Sequence, residues 1–391
     1  VALLVDLRTS HRYSFRTPVK LAFKLTLLPS SSGKAEGLHY ILLIDTSGSM
    51  KGRKIELAKE GARLLLRNIP EGNYVTLIAF GTRELVSVLA SRTPMDTERE
   101  RLLRLIDELE PHDGTPLYRA LRDAYQIARA SGLPGYIVLL SDGQPTDVSS
   151  LERFRELEQP PGYRMVLVGI GLDYNHELFT LLADMSGGDF YHVSEAEVEK
   201  LPEILGSFSV ETVAARSVEL VLESPVGGIK LLNYEEPVIR LPSIEKESVT
   251  VLGEVEVPPL YEGTVLRARI RYEDPATDEI VEEVREADIS PVHSRDLFLK
   301  GIDREVLDEY NYFLYMARAR EALLKGKLDE ATQKLSEAAR LAEQTRKISY
   351  IEATRRLLAA AEQTRRLGDR AAVEDATRRL LSEATRRLRH V

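Results

Sequence analysis

The sequence predicts an α/β doubly wound, Rossmann-like domain inserted in an antiparallel β-sandwich and followed by a C-terminal α-helical domain. Three observations carry that expectation. Between residues 38 and 205, short apolar runs ("YILLI", "YVTLIAF", "YIVLL", "RMVLVGIG") alternate with stretches of helical period. From 212 to 291 the period falls to two, and after Pro291 there is no further proline. Buried strands alternating with helices need crossover connections, hence a mainly parallel sheet covered on both faces. Period-two runs separated by Pro, Gly and Asp turns are antiparallel strands. With 391 residues, 43% of them hydrophobic, the chain has room for several cores.

Taken in order, "PVKLAFKLTLL" sets Val19, Leu21, Phe23, Leu25 and Leu27 on one side of a half-buried strand, with Lys20, Lys24 and Thr26 on the other. One or two strands make no stable sheet. Residues 1–33 are therefore expected to pair with the later strands at 212–291, leaving 38–205 as an inserted domain. Within that insert, "GRKIELAKEGARLLLRNI", "DTERERLLRLIDELE" and "PLYRALRDAYQIARA" are the helices between the apolar runs. The helical domain, 294–391, is expected to break near Gly301, Gly326 and Gly368. Its stretch "YNYFLYMARAREALLKGKLDEATQKLSEAARLAE" predicts two antiparallel helices joined at "KGK". This resembles one tetratricopeptide-like unit, but a single unit is not an array, and a plain helical hairpin is expected.

Composition removes several function classes. There are no cysteines, so disulfides, thiolate metal sites and thiol nucleophiles are excluded, and a reducing, cytoplasmic setting is expected. No apolar run nears the roughly 20 residues of a membrane helix, and "VALLVDLRTSHR" is charged too soon for a signal peptide. The net charge of -9 is unevenly spread: residues 341–391 hold 12 basic and 7 acidic side chains, net +5, leaving -14 elsewhere. An acidic body with a basic tail suits an acidic partner better than general nucleic-acid binding. Scarce Asn and Gln beside plentiful Arg and Glu is a bias met in thermophiles.

The run "HYILLIDTSGSM" is the most informative. A core strand delivers Asp45, Ser47 and Ser49 to the carboxyl edge of the sheet, where open α/β domains bind ligands. Two more loops are expected there: "PHDGTPLY", offering Asp113 and Thr115, and "LLSDGQPTD", offering Asp142. Two carboxylates and three hydroxyls form an all-oxygen set of low charge. That set suits Mg2+ or another divalent cation, which takes about six oxygen ligands at roughly 2.0–2.1 Å and keeps waters. The bland reading is that these residues only shape turns, for which Asp, Ser and Gly are common.

These residues resemble the von Willebrand factor A (vWA) family. "DTSGSM" is similar to its D-x-S-x-S element, "DGT" before a helix supplies its threonine, and "SDG" after a strand supplies its second aspartate. "VGIG" and "LLADMSGGDFYHVS" resemble its late strand and last helix. The resemblance spans about 38–205 and implies a metal-ion-dependent adhesion site (MIDAS). In it, Ser47, Ser49 and Thr115 would touch the metal, Asp45 and Asp142 would act largely through water, and the open position would accept a carboxylate from another protein.

Nothing amounts to an enzyme. "GIG" at 169–171 lacks the third glycine of a dinucleotide fingerprint, no phosphate loop is present, and the histidines show no metal-ligand spacing. His112 lies beside a site loop but is expected to be solvated.

A repeat marks the tail: "TQKL" at Thr332, "TRKI" at Thr345, and "TRRL" at Thr354, Thr364, Thr377 and Thr385. Each threonine has Leu or Ile three positions on, which on a helix shares its face. Packing explains the leucines but not the recurring threonine, a mediocre helix former. Phosphorylation at Thr345, Thr354, Thr364, Thr377 or Thr385 stays open beside it, because a phosphothreonine with an aliphatic residue at the third position resembles the ligand of forkhead-associated (FHA) domains. The layout as a whole resembles the Sec23/Sec24 trunk and archaeal regulators of the ArnB type. That resemblance implies a non-enzymatic scaffold, an FHA-domain partner, Ser/Thr kinases and repression of archaellum expression. A helper of an AAA+ ATPase machine, or nucleic-acid binding through the arginine tail, remain as alternatives; the tail lacks the interleaved aromatics that single strands stack on.

Overall fold

Strand β3 finds its partner on the far side of an inserted domain. In the computed structural model, which describes residues 2–82 and 85–391, the chain begins with β1 (Leu3–Thr9), β2 (Tyr13–Ser14), β3 (Val19–Pro29) and β4 (Gly33–Lys34). The insert follows: β5 (His39–Asp45), α1 (Arg53–Asn68), β6 (Tyr74–Thr82), β7 (Leu85–Pro94), α2 (Met95–Asp107), α3 (Leu117–Ser131), β8 (Gly135–Ser141), α4 (Leu151–Arg155), β9 (Tyr163–Ile170), α5 (His176–Ser186), β10 (Asp189–Val193) and α6 (Leu201–Gly206). The chain then returns as β11 (Thr212–Val213), β12 (Ala215–Glu223), β13 (Lys230–Leu231), β14 (Val238–Ile244), β15 (Val249–Val257), β16 (Gly263–Asp274) and β17 (Glu279–Pro291). It ends as α7 (Arg295–Lys300), α8 (Arg304–Leu324), α9 (Leu328–Thr345), α10 (Ile348–Arg365) and α11 (Arg370–Arg389).

The sandwich is assembled from both sides of the insert. One sheet runs β1-β3-β15-β13 and the other β14-β12-β16-β17-β2. β3 and β15 are antiparallel, from Val19 opposite Val257 to Leu27 opposite Val249. The inward residues Leu21, Phe23 and Leu25 meet Leu220, Ile270 and Tyr272 of the facing sheet in one apolar core. Where the chain enters and leaves the insert, β4 and β11 pair with each other, Lys34 opposite Thr212.

The insert's sheet has the order β10-β9-β8-β5-β6-β7, parallel except for the edge strand β7. All of β5 is buried. Its alternate residues feed two cores: Ile41 and Leu43 pack with Leu117 and Leu121 of α3, while Tyr40, Leu42 and Ile44 pack with Leu57 and Leu65 of α1. That two-sided burial is why the strand is an unbroken hydrophobic run.

The helical region is tied to both neighbours. α8 and α9 form the expected hairpin, turning at Gly326 with φ +68°. The break between α9 and α10 carries no glycine; Arg346 takes the left-handed conformation there, φ 56°. Glu309 of α8, almost fully buried, accepts from Lys24 of β3 at 2.7 Å, from Lys347 at 2.8 Å and from Tyr350. The last helix, α11, lies along β10, the free edge of the sheet. Ser382 accepts the His192 N–H at 3.2 Å and donates to the Phe190 carbonyl at 3.0 Å, and Arg386 donates to the same carbonyl at 2.9 Å. Side chains of a helix thus occupy hydrogen-bonding positions that a further strand would take.

His39 opens β5 inside this core, its ring against Tyr163 Oη at 2.7 Å and Thr76 Oγ1 at 2.8 Å. Burial, with Arg92 nearby, pushes its pKa down to about 4. The unfolded chain therefore binds the extra proton between its ordinary value near 6.5 and the folded value, and stability falls as pH drops through that window. His39→Gln is expected to flatten the pH dependence of urea unfolding between about pH 6.5 and 4, where the wild type loses up to about 3 kcal/mol through this group.

Candidate functional site

In an open α/β sheet, the cleft forms where crossovers from adjacent strands part to opposite sides. Here β5 lies between β6 and β8, so its carboxyl end and that of β8 open together. Asp45 ends β5, Ser141 ends β8 with Asp142 directly after it, and Thr115 precedes α3. Asp45, Ser47, Thr115 and Asp142 are all buried, while Ser49 is exposed at the mouth.

Asp45, Ser47, Ser49 and Asp142 form one hydrogen-bonded set, and Thr115 stands beside it. The Ser47 N–H donates to Asp45 Oδ1 at 2.8 Å, closing the turn after β5. Ser47 Oγ lies 3.0 Å from Ser49 Oγ, and Ser49 Oγ donates to Asp142 Oδ1 at 2.6 Å. Thr115 is held from behind, its N–H donating to Thr146 Oγ1 and its carbonyl accepting from the Thr146 N–H, each at 2.9 Å. A Cβ on Gly143 would stand 3.4 Å from Thr115 Oγ1 and 4.0 Å from Ser49 Oγ, so the backbone after Asp142 lies directly against the two neighbouring loops. Gly81 does the same from β6: a Cβ would fall 2.3 Å from the carbonyl carbon of Thr46.

Sequence reasoning overlooked three contributors. Ser141 Oγ donates to Asp45 Oδ2. Thr146 anchors Thr115. Lys54, near the start of α1, places its ammonium 2.8 Å from Asp142 Oδ2 and 2.6 Å from Glu195 Oε1. Only Ser141 had a local cue, its adjacency to Asp142. Asp113 and His112 are exposed and lie outside the bonded set; His112 contributes a backbone N–H to the Thr46 carbonyl at 2.6 Å.

Burial pushes the Asp45 carboxyl up to about 6, with the nearby Asp142 charge adding to it and the Ser141 and Ser47 bonds opposing it. Its hydrogen-bond donors are neutral, and a buried carboxylate so held is expensive. A hard cation over Asp45 would relieve that cost, and the oxygen donors fit such an ion. Among the described residues there is no cluster of three His, Cys, Asp or Glu able to hold a metal. A cation at this edge would therefore depend on the hydroxyls as well as the carboxylates.

The tail threonines lie on α9, α10 and α11. Thr354, Thr364 and Thr385 are buried, and each hydroxyl donates to the carbonyl four residues back, at 2.6, 2.7 and 2.8 Å. Thr377, half-buried, does likewise at 2.7 Å, and Thr345, half-buried near the left-handed break, donates to Ala342 O at 2.7 Å. This back-bonding lets a polar β-branched residue enter a helical core with its hydroxyl satisfied. Several arginines of α11 are likewise directed inward, whereas Arg355, Arg356, Arg365, Arg366 and Arg370 are exposed. Arg378 and Arg389 are each only 6% exposed, and Arg379 pairs with Glu197 at 2.9 Å.

Replacing Ser141 with alanine is expected to leave Asp45 short of a donor in a buried position. Urea unfolding of metal-free Ser141→Ala at neutral pH should show a loss of about 1–3 kcal/mol.

Comparison with known proteins agrees with this architecture. The von Willebrand factor type A domain family matches residues 39–193, and the archaellum regulatory network B C-terminal domain family matches 304–390. The crystal structure of VWA2, an ArnB paralog from Sulfolobus acidocaldarius, is 26% identical, covers 99% of this chain and 98% of its own, and superposes with a TM-score of 0.83. The human COPII-coat protein Sec24c shares the fold at 11% identity and a TM-score of 0.55, over 90% of this chain and 58% of its own. Von Willebrand factor A domain-containing protein 5A of Rattus norvegicus is 28% identical over 215 residues, 51% of this chain but 26% of that protein. The chain thus spans about a quarter of the length of that relative. Sheet order, site loops and these matches together establish that this chain carries a von Willebrand factor type A domain joined to an archaellum regulatory network B C-terminal domain.

Proposed function

We propose that this chain is a non-enzymatic, cytoplasmic interaction scaffold whose A domain binds Mg2+ or another divalent cation, and that it acts as an ArnB-like regulator. The observation that carries the metal reading is the bonded set of two carboxylates and two hydroxyls at the ends of β5 and β8, with the Thr115 hydroxyl facing Ser49 across Gly143. A bound divalent ion supplies an electrophilic position able to take a carboxylate oxygen from another protein. Ser47, Ser49 and Thr115 offer neutral oxygens to the ion. Asp45 and Asp142 give the edge its negative charge, and Ser141 and the Ser47 amide hold Asp45 in place.

The regulatory part of the reading is supported by the joining of an A domain to an archaellum regulatory network B domain. On this reading, the partner is an FHA-domain protein that recognises phosphothreonine placed by Ser/Thr kinases, and the output is repression of archaellum expression. Thr345 and Thr377, half-buried, are the less enclosed acceptors. Thr354, Thr364 and Thr385 would require α10 or α11 to open before a kinase reached them. On α11, Arg378 and Arg389 are used inside the fold, which takes part of the basic tail away from nucleic-acid binding.

Two measurements test it. Calorimetric titration with Mg2+ should show binding to metal-free wild type and its loss in Asp45→Ala and Thr115→Ala. A purified FHA-domain protein should capture the kinase-treated chain, with capture lost after phosphatase or in a Thr345→Ala, Thr377→Ala double variant. Capture abolished by EDTA yet indifferent to phosphatase would move recognition to the metal edge. Absence of capture under every condition would remove the FHA partner.

A further inference from the structure

Lys54 has no part in that reading, yet it is built into the edge. Its side chain is 18% exposed, and two carboxylates from separate elements hold its ammonium: Asp142 Oδ2 at 2.8 Å and Glu195 Oε1 at 2.6 Å. Asp142 is thereby engaged on both oxygens by its own chain, since Ser49 donates to Oδ1 at 2.6 Å. Glu195 opens the 3-10 turn Glu195–Lys200 after β10. It leans over Gly171, where a Cβ would come within 2.6 Å of Glu195 Oε1. The lysine is thus a tethered cation beside the carboxylate that a free cation would use.

We propose that Lys54 is an intramolecular competitor for the divalent ion. Without metal it neutralises Asp142 and keeps the edge assembled; when metal takes Asp142, the ammonium gives up that contact and keeps Glu195. The inference rests on the metal-binding reading above. Its physical basis is that like charges repel strongly in a half-buried site, where the effective dielectric is well below that of water. A buried carboxylate stripped of its cation is in turn destabilising. Affinity for metal is therefore set below what the five oxygen-bearing residues alone would give, and the empty edge is more stable than those residues alone would make it.

The test uses Mg2+ alone as probe, titrated into full-length wild type, Lys54→Met, Lys54→Gln, Glu195→Gln and Asp45→Ala, with thermal melts in EDTA and in Mg2+. Lys54→Met is expected to bind Mg2+ roughly tenfold more tightly than wild type. It should also melt below wild type in EDTA and recover in Mg2+. Glu195→Gln, which leaves the lysine to Asp142 alone, should bind more weakly than wild type. Lys54→Gln repeats the comparison with a polar neutral side chain, so misfolding of one variant does not decide the outcome. Equal affinities in wild type and both Lys54 variants, with Asp45→Ala silent, would overturn the proposal and leave the metal site standing. Weaker binding by the Lys54 variants would also overturn it, making the lysine a support of the edge. No binding by any form would remove this inference together with the metal reading.

Discussion

A parallel sheet has to end, and the strand at its end carries N–H and carbonyl groups that no neighbour satisfies. In this chain that strand is β10, and α11 supplies the missing partners through Ser382 and Arg386. Arg389 adds a bond to the Gly188 carbonyl just before the strand. An edge left open would invite pairing with another chain. Covering it with a polar helix face, rather than an apolar one, fuses the helical region to the A domain and gives the tail's positive charge an internal role. Arg378 over the Tyr174 ring and Arg389 against Asp184 extend the same seam.

How far the sequence foretold this depends on the range of each interaction. Period-two and period-3.6 patterns are local, and the elements that rest on them, β3, β5 and the α8–α9 hairpin, lie where they were expected. The five oxygen-bearing residues were also legible, because strand ends and the residues next to them share an edge by topology alone. What escaped is what depends on approach in space. Lys54 reaches Asp142 across 88 positions, and no spacing rule connects them. The break at Arg346 has no glycine to announce it. β7, which was not among the apolar runs, reverses direction against β6 to form the edge. Several arginines of α11 turn inward to meet the β10 edge, which no local pattern announces.

The threonine repeat shows how one pattern can satisfy two demands. Its spacing with leucine sets a buried helical face, and its hydroxyl bonds to the preceding turn so that burial leaves no orphaned group. Alanine would deprive Tyr312 Oη of the Thr354 hydroxyl at 2.8 Å and Arg320 Nε of the Thr385 hydroxyl at 2.9 Å; serine would lose the methyl. A fully packed account of Thr354, Thr364 and Thr385 therefore exists beside any regulatory one, and the half-buried Thr345 and Thr377 are where the two accounts separate.

The short ribbon of β4 and β11 has a kinetic consequence. Thr26 and Thr250, which face each other across the sandwich sheet, are 224 residues apart in the chain. A search over so long a loop is slow and entropically unfavourable. Once the A domain has folded, however, its entry and exit are held side by side at Lys34 and Thr212. From then on β3 and β15 approach each other as though joined by a turn. The sandwich therefore inherits its folding rate from the inserted domain, and a lesion that slows the A domain delays the sandwich without touching one of its own residues.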